Sequence, residues 1–423
     1  MEENMQILLN FFQEFMSLGA TVLLPFIVAI LGIIFKMDTK KAIKSGLLVG
    51  FGFQGLVLAV GLLINSINPV MEYYKSIGSG YSVLEIGFAP LGAASWTVPF
   101  AVFVIPAIFF INIILVRFRI TKVLNIDIWN FMHFLVPGAL AYALFGSAFV
   151  GFVVSLICGI GVLFFAEWLA PAWQEFFGLE GTTCTTLSFA AWVYPITFIL
   201  NKIMDKIPGI KNLDVNVSKL GDKLGIFGDT TIIGVLVGVF LSLISKQSFS
   251  NTLTVAMGVG ASMVLIPRMI SVMMEGLTPL SNSASMYMRN KLGEGSELYI
   301  GMDIALGLGD PACITVTAIM IPVTILLSFL IPGMRFFPLG ILGEVCYLAP
   351  MCVLTSKGNL FRSLVTMTIM MAITLVFMNM FIGEATQMLS VTGVAVTGEV
   401  TASHFGWNPG NLIVNIIYHL FAK

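Results

Sequence analysis

Charge is scarce in this chain. Only 10% of its 423 residues are Asp, Glu, Lys or Arg, against about 25% in a soluble domain, which excludes a water-soluble globule. With a formal net charge of −1 and basic residues confined to the loops between apolar runs, no nucleic-acid partner is expected. The five cysteines, Cys158, Cys184, Cys313, Cys346 and Cys352, are odd in number and lack C-x-x-C spacing. Neither a disulfide framework nor a zinc site is supported. Only Cys184 has polar neighbours; the other four read as small core residues. Three histidines, His133, His404 and His419, lie far apart with no metal-ligand spacing, so no metal or cofactor is expected. No H-E-x-x-H, P-loop or nucleophile elbow occurs, which leaves no catalytic residue to name. The opening Met-Glu-Glu-Asn lacks the basic n-region of a signal peptide, so the first span is expected to insert uncleaved.

Hydrophobic sequence fills the space that charge leaves. The chain is 58% hydrophobic, its mean hydropathy is +0.98, and apolar runs of roughly 20 residues recur, the length that crosses a hydrocarbon core of about 30 Å. Runs at 11–35, 46–65, 96–115, 137–166, 189–200, 227–245, 251–267, 314–333, 359–382 and 411–421 predict an all-α polytopic membrane protein of about 10–11 transmembrane helices. Lysines at 36–44, basic residues at 117–122 and lysines at 201–226 assign those loops to the cytoplasm by the positive-inside rule. Gly46, Gly50, Gly52 and Gly55 predict close helix–helix approach. Five crossings precede the hydrophilic stretch 206–226, so that connector separates a first half, 1–205, from a second, 227–423, of opposite orientation.

The halves echo each other. Ile86-Gly87 matches Ile300-Gly301, Ile105-Pro106 matches Ile321-Pro322, and Asn130-Phe-Met-His-Phe-Leu-Val matches Asn359-Leu-Phe-Arg-Ser-Leu-Val. Both halves also break an apolar stretch, at 83–95 and 299–312, with Gly301, Gly307, Gly309 and Pro311 weakening a helix in the second. Interrupted segments at corresponding places of inverted repeats are the sequence mark of a transporter's central site, so these two are expected to face each other across a substrate. Carboxylates, hydroxyls and aromatic faces in apolar sequence suit a polyhydroxylated ligand. Glu85 with Phe88, Asp127 with His133, Glu180 with Thr182 and Thr183, and Asp303 are the candidates. Asp127 and Asp310 read equally well as helix caps, His133 as an interhelical bond, and Glu167 with Trp168 as an interfacial anchor.

Several strings then identify a family. Asn125-Ile-Asp-Ile-Trp-Asn with His133, Phe177-Gly-Leu-Glu-Gly181, Lys206-Ile-Pro-Gly209, Phe227-Gly-Asp229, Leu265-Ile-Pro-Arg268, Glu275-Gly-Leu-Thr-Pro279 and Lys357-Gly-Asn-Leu-Phe-Arg362 resemble the galactitol permease IIC components of the bacterial sugar phosphotransferase system, in the ascorbate–galactitol superfamily, nearly end to end. The resemblance implies a homodimer of protomers with inverted repeats, re-entrant hairpins and an elevator-type movement. A V-motif dimerisation domain would take approximately 11–66 and 227–267, and a core transport domain the remainder. It also implies a bacterial inner-membrane location and a IIB partner, phosphorylated on cysteine and served by IIA, which phosphorylates the sugar alcohol. This chain would then belong to the phosphotransferase complex without itself holding the donor residue. By position the family's binding region maps onto Phe88, His133, the 180–186 segment and Asp303. Thr-Thr-Cys-Thr-Thr at 182–186 stands where that family carries a histidine and glycine, which leaves open a different hexitol or a pentitol. An ion-coupled transporter using Asp303 or Glu85 is the alternative, and an intramembrane enzyme would need a catalytic pair that the sequence does not offer.

Overall fold

The computed structural model describes residues 20–77, 81–210, 213, 230–292, 297–338, 340–392 and 398–421. Most of the hydrophilic connector, the start of the first run, the Phe227-Gly-Asp229 string and residues 293–296 lie outside the described residues. Helices dominate because lipid offers a backbone no hydrogen-bond partners. Among the described residues, five helices are long and apolar enough to cross a membrane, and shorter apolar helices accompany them.

Each half opens on a helix pair. In the first, α1 (Ala20–Ile34) turns at Lys36 into α2 (Thr39–Ile77). In the second, a helix at Thr230–Ile244 turns at Lys246 into another at Phe249–Leu292. Both turn lysines take positive φ, 60° and 51°, and the following amides bond back to Gly32 and Ser242, a helix stop that usually employs glycine. The four helices pack through small residues. A Cβ on Gly52 or Gly55 would strike Met273 or Met269, one on Gly276 would strike the Ser45 carbonyl, and one on Gly46 the Pro25 carbonyl. The 39-residue and 44-residue helices are about 58 and 66 Å long. They outrun the expected spans because a helix leaving lipid keeps the same internal bonds, so 66–77 and 268–292 stay helical although polar.

Elsewhere the boundaries differ in instructive ways. The single run expected at 137–166 is two helices, Met132–Phe145 and Ala148–Phe177. Gly146 ends the first in the left-handed region, and Ser147 caps the second through the Val150 amide. A buried helix at Val345–Thr355 was not expected at all. The match of Asn130 with Asn359 does not hold spatially. Asn359 caps the helix Leu360–Met380 after the left-handed Gly358, as Ser147 follows Gly146, whereas Asn130 sits in a 3-10 turn, Ile128–Phe131.

Five short strands were also not foreseen. β1 (Leu84–Glu85) lies parallel to β5 (Val400–Thr401), with Val83 bridged to Phe336. β4 (Tyr299–Met302) lies between β2 (Val123–Asn125) and β3 (Thr182–Cys184), parallel to both. A first-half strand is thus inserted between second-half segments, and a second-half strand between first-half strands. Val83 faces Phe336 as Tyr299 faces Val123, and Leu84 faces Val400 as Ile300 faces Thr182. This register gives an offset of 216 (299 − 83), not the 214 of the Ile-Gly match, and equals that of the Pro106 and Pro322 helices.

Candidate functional site

Each inserted strand delivers the chain into a buried polar centre. At the end of β2, the Asn125 side chain accepts from the Asp127 amide and the Thr185 hydroxyl, both at 3.0 Å. The Asn130 amide donates to Asp127 at 2.6 Å and to the Thr186 hydroxyl at 3.2 Å. Thr186 accepts from the Ile304 amide, while Asp303 caps its 3-10 turn through the Ala305 amide at 2.7 Å. The segments carrying Asp127 and Asp303, from different halves, are thus linked through Asn130, Thr186 and the Ile304 amide. No buried side-chain nitrogen or oxygen in this centre lacks a partner.

The second centre forms where β1 ends. Glu85 accepts from the Gly87 and Ile341 amides at 2.7 and 2.8 Å, and Glu344 accepts from the Phe88 amide at 2.5 Å. Gly87 has φ +69°, and a Cβ there would lie 2.5 Å from the Glu344 carboxylate; one on Gly340 would meet Gly87 at 2.4 Å. Only glycines permit this crossing. Beyond it, His133 Nδ1 lies 3.0 Å from the Ser188 hydroxyl and 3.2 Å from His404 Nε2, with the imidazoles 4.6 Å apart. The Phe88 ring stands 5.8 Å from His404 and edge-on to Tyr347 at 6.4 Å. Among the described residues, three buried atoms of this centre, Glu344 Oε2, Ser403 Oγ and His404 Nδ1, make no hydrogen bond of ordinary geometry, the Ser403 hydroxyl and the Glu344 carboxyl lying near each other. An unpartnered buried polar atom costs about 1–3 kcal/mol, so three close together make this the less completely bonded of the two centres.

The structure thus brings Glu85, Phe88 and His133 into one centre and Asp127 with Asp303 into the other. It puts Glu180, Thr182 and Thr183 elsewhere. Glu180 is exposed on a turn. Thr182 donates to the Leu179 carbonyl and accepts from Trp173, and Thr183 donates to the Ala166 carbonyl at 2.6 Å. The neighbouring Thr185, Thr186 and Ser188 face the centres instead. The broken segments at 83–95 and 299–312 meet through a third stretch, 340–350: Ile341 bonds Glu85, and a Cβ on Gly307 would strike Pro350. Glu344, Tyr347, Ser403 and His404 carry no sequence signal beyond being polar in apolar surroundings. His404 was set aside because 271 residues separate it from His133. Asp127 sits at the start of its 3-10 turn, but its carboxylate is held by Asn130. Asp310 does cap the helix Pro311–Leu330, through the Ala312 amide. Glu167 is no simple anchor, since it accepts from the Thr121 hydroxyl and the Lys122 amide and so fixes the approach to β2. Among the described residues, no three His, Cys, Asp or Glu side chains gather as a metal set.

Comparison with known proteins agrees with this picture. A family model described as "PTS system sugar-specific permease component" matches residues 14–399. The chain belongs to that family. It is 32% identical over 92% of its length to the "PTS system galactitol-specific EIIC component" of Escherichia coli strain K12, covering 86% of that protein, with the same figures for the O157:H7 protein. It is also 31% identical, over 95% of its own length and 93% of the other, to the "Putative permease IIC component" of strain K12. The chain is accordingly a multi-pass inner-membrane permease of the phosphotransferase system, and it works with other components of that system.

Proposed function

We propose that this IIC component carries galactitol or a closely related sugar alcohol through the site formed by the two polar centres. The reading is carried by one observation: Glu344, Ser403 and His404 hold unpartnered polar atoms beside the Phe88 and Tyr347 rings. A polyol presents hydroxyls that both donate and accept, and C–H faces that lie against aromatic rings. Glu85, Asp127, His133 and Asp303 hold the surrounding backbone and ring geometry, and their side chains make the wall polar. Thr182 and Thr183 support β3 from behind, so we assign them, with Glu180, no direct contact.

The reciprocal strand insertion supports inverted repeats, with β1 entering from one face and β4 from the other. On that reading the four long and short arm helices of 20–77 and 230–292 form the dimerising frame. The remaining helices carry the site between faces as one body. A IIB protein phosphorylated on cysteine, charged through IIA, then phosphorylates the polyol at the cytoplasmic mouth; this chain supplies binding and orientation. Calorimetry with galactitol, other hexitols and pentitols tests the substrate. Micromolar to millimolar binding of one sugar alcohol is expected, and no binding of any would overturn the reading.

The ion-coupled alternative draws on Asp127 and Asp303, two carboxylates from different halves gathered in one centre. Uptake into vesicles driven by a proton or sodium gradient without IIB would favour it. Uptake that requires phosphoenolpyruvate and the partner proteins would favour the phosphotransferase route.

A further inference from the structure

A polar cavity lies at the far ends of the helices that leave the site. The helix Val345–Thr355 starts beside Glu344 and ends at Ser356; its eleven residues span about 16 Å. The helix Tyr194–Met204 follows Ser188 through a π turn and ends at Asp205. Where the two meet the start of the helix Leu360–Met380, they border a half-open cavity of about 590 Å³. Lys202, Lys357 and Arg362 line it, against one carboxylate, Asp205.

The polar wall is already braced. The Asn201 amide donates to Thr355 and Ser356, and Asn359 bonds the Leu213 carbonyl and the Arg362 amide. Arg362, 13% exposed, is held by Asp205 at 2.7 Å. The lysines are not so engaged: neither has an ion-pair partner among the described residues. Lys202 lies only against the Phe198 ring, at 5.5 Å. Lys357 is held in place by an unusual backbone, φ +52°, followed by Gly358 at +75°. Lysines on a loop facing the cytoplasm ordinarily need no ligand. These converge with a braced guanidinium on one half-open cavity, leaving two more cations than anions among its lining residues, and that arrangement suits a phosphate monoester.

We propose that this cavity binds a phosphoryl group at the inner mouth of the transport path. The group arrives either on the side chain of a phosphorylated partner protein or on the sugar phosphate that leaves. No bond is made or broken in the cavity itself; it holds the dianion. The two sources rest on the transport reading above, whereas the cavity's affinity for phosphate does not.

The test begins with the purified full-length protein titrated with inorganic phosphate at constant ionic strength, followed by calorimetry. Saturable binding is expected, weakened about tenfold or more by Lys202→Gln and by Lys357→Asn, the latter chosen because asparagine tolerates positive φ. Unaltered polyol affinity in both variants certifies their fold. Phosphate binding no tighter than chloride, or variants that bind phosphate like the parent, would overturn the proposal. Reconstituted phosphorylation then separates the sources. A raised KM for the phosphorylated partner in the variants points to the protein-borne group, and weakened inhibition by sugar phosphate points to the product. Both left unchanged would also overturn it. A parent protein that binds phosphate but no polyol would sink the transport reading and leave the cavity standing.

Discussion

The two polar centres are built alike and finished differently. Each lies where a strand from one half is inserted against the other half, and each gathers two carboxylates, Asp127 with Asp303 and Glu85 with Glu344. Around the first, Asn125, Asn130, Thr185 and Thr186 close every buried hydrogen bond. Around the second, Glu85 is fully occupied by backbone amides, while Glu344, Ser403 and His404 keep atoms without partners. A completed network fixes geometry, and an incomplete one is costly unless something else completes it. On the proposed function, the first centre holds the halves together and supplies one wall of the site, and the second receives the polyol.

The largest effect should follow from the open centre. Glu344→Gln keeps the size of the side chain but exchanges one carboxyl oxygen for an amide nitrogen, and should weaken polyol binding by up to about a hundredfold, since a buried polar group left without its partner costs about 1–3 kcal/mol. His404→Ala should do the same with loss of the ring contact to Phe88. Calorimetry that returns parental affinity for both would move the ligand away from this centre. Asp303→Asn comes next. It retains a capping oxygen for the Ala305 amide but removes one charge beside Asn130. A tenfold or greater loss of affinity, with thermal stability held within about 1 kcal/mol, is expected, and unchanged affinity would confine Asp303 to a structural role. Gly87→Ala tests the crossing itself. The left-handed backbone costs an alanine about 1–2 kcal/mol, and its Cβ would press on Glu344. Both the unfolding temperature and polyol affinity should fall; a neutral result would mean the crossing is slack.

Much of this was readable in the chain, for reasons that particular residues display. The apolar runs had to be helices, and Gly46, Gly52 and Gly55 had to lie where helices approach closely, because lipid leaves few other solutions. The break at Gly146-Ser147 was legible in principle, a left-handed glycine followed by an N-cap serine, but apolar sequence on both sides hid it. The strands were not legible. Two to four residues of pairing across more than a hundred positions give no periodic signal. Glu85, Phe88, Asp127, His133 and Asp303 stood out as polar or aromatic groups beside broken helices. Glu344 and His404 did not, because their meaning comes only from what the strand insertion sets beside them. The threonines misled for a simpler reason: the hydroxyls of Thr182 and Thr183 are taken up by the Leu179 and Ala166 carbonyls, so neither is left for a ligand.

The smallest expected effect is therefore also the sharpest check on the comparison. Thr183→Val conserves shape and removes only the hydroxyl that donates to the Ala166 carbonyl within the first-half framework. It should lower stability by about 1 kcal/mol, read as a modest drop in unfolding temperature, and leave polyol affinity untouched. Thr186→Val, one turn of the chain away, removes the acceptor shared by the Asn130 side chain and the Ile304 amide, so it should cost more stability and disturb Asp303 as well. If Thr183→Val weakens binding as much as Thr186→Val does, the division between a closed framework centre and an open binding centre fails. The ligand would then have to reach behind β3, where the helix Ala148–Phe177 packs.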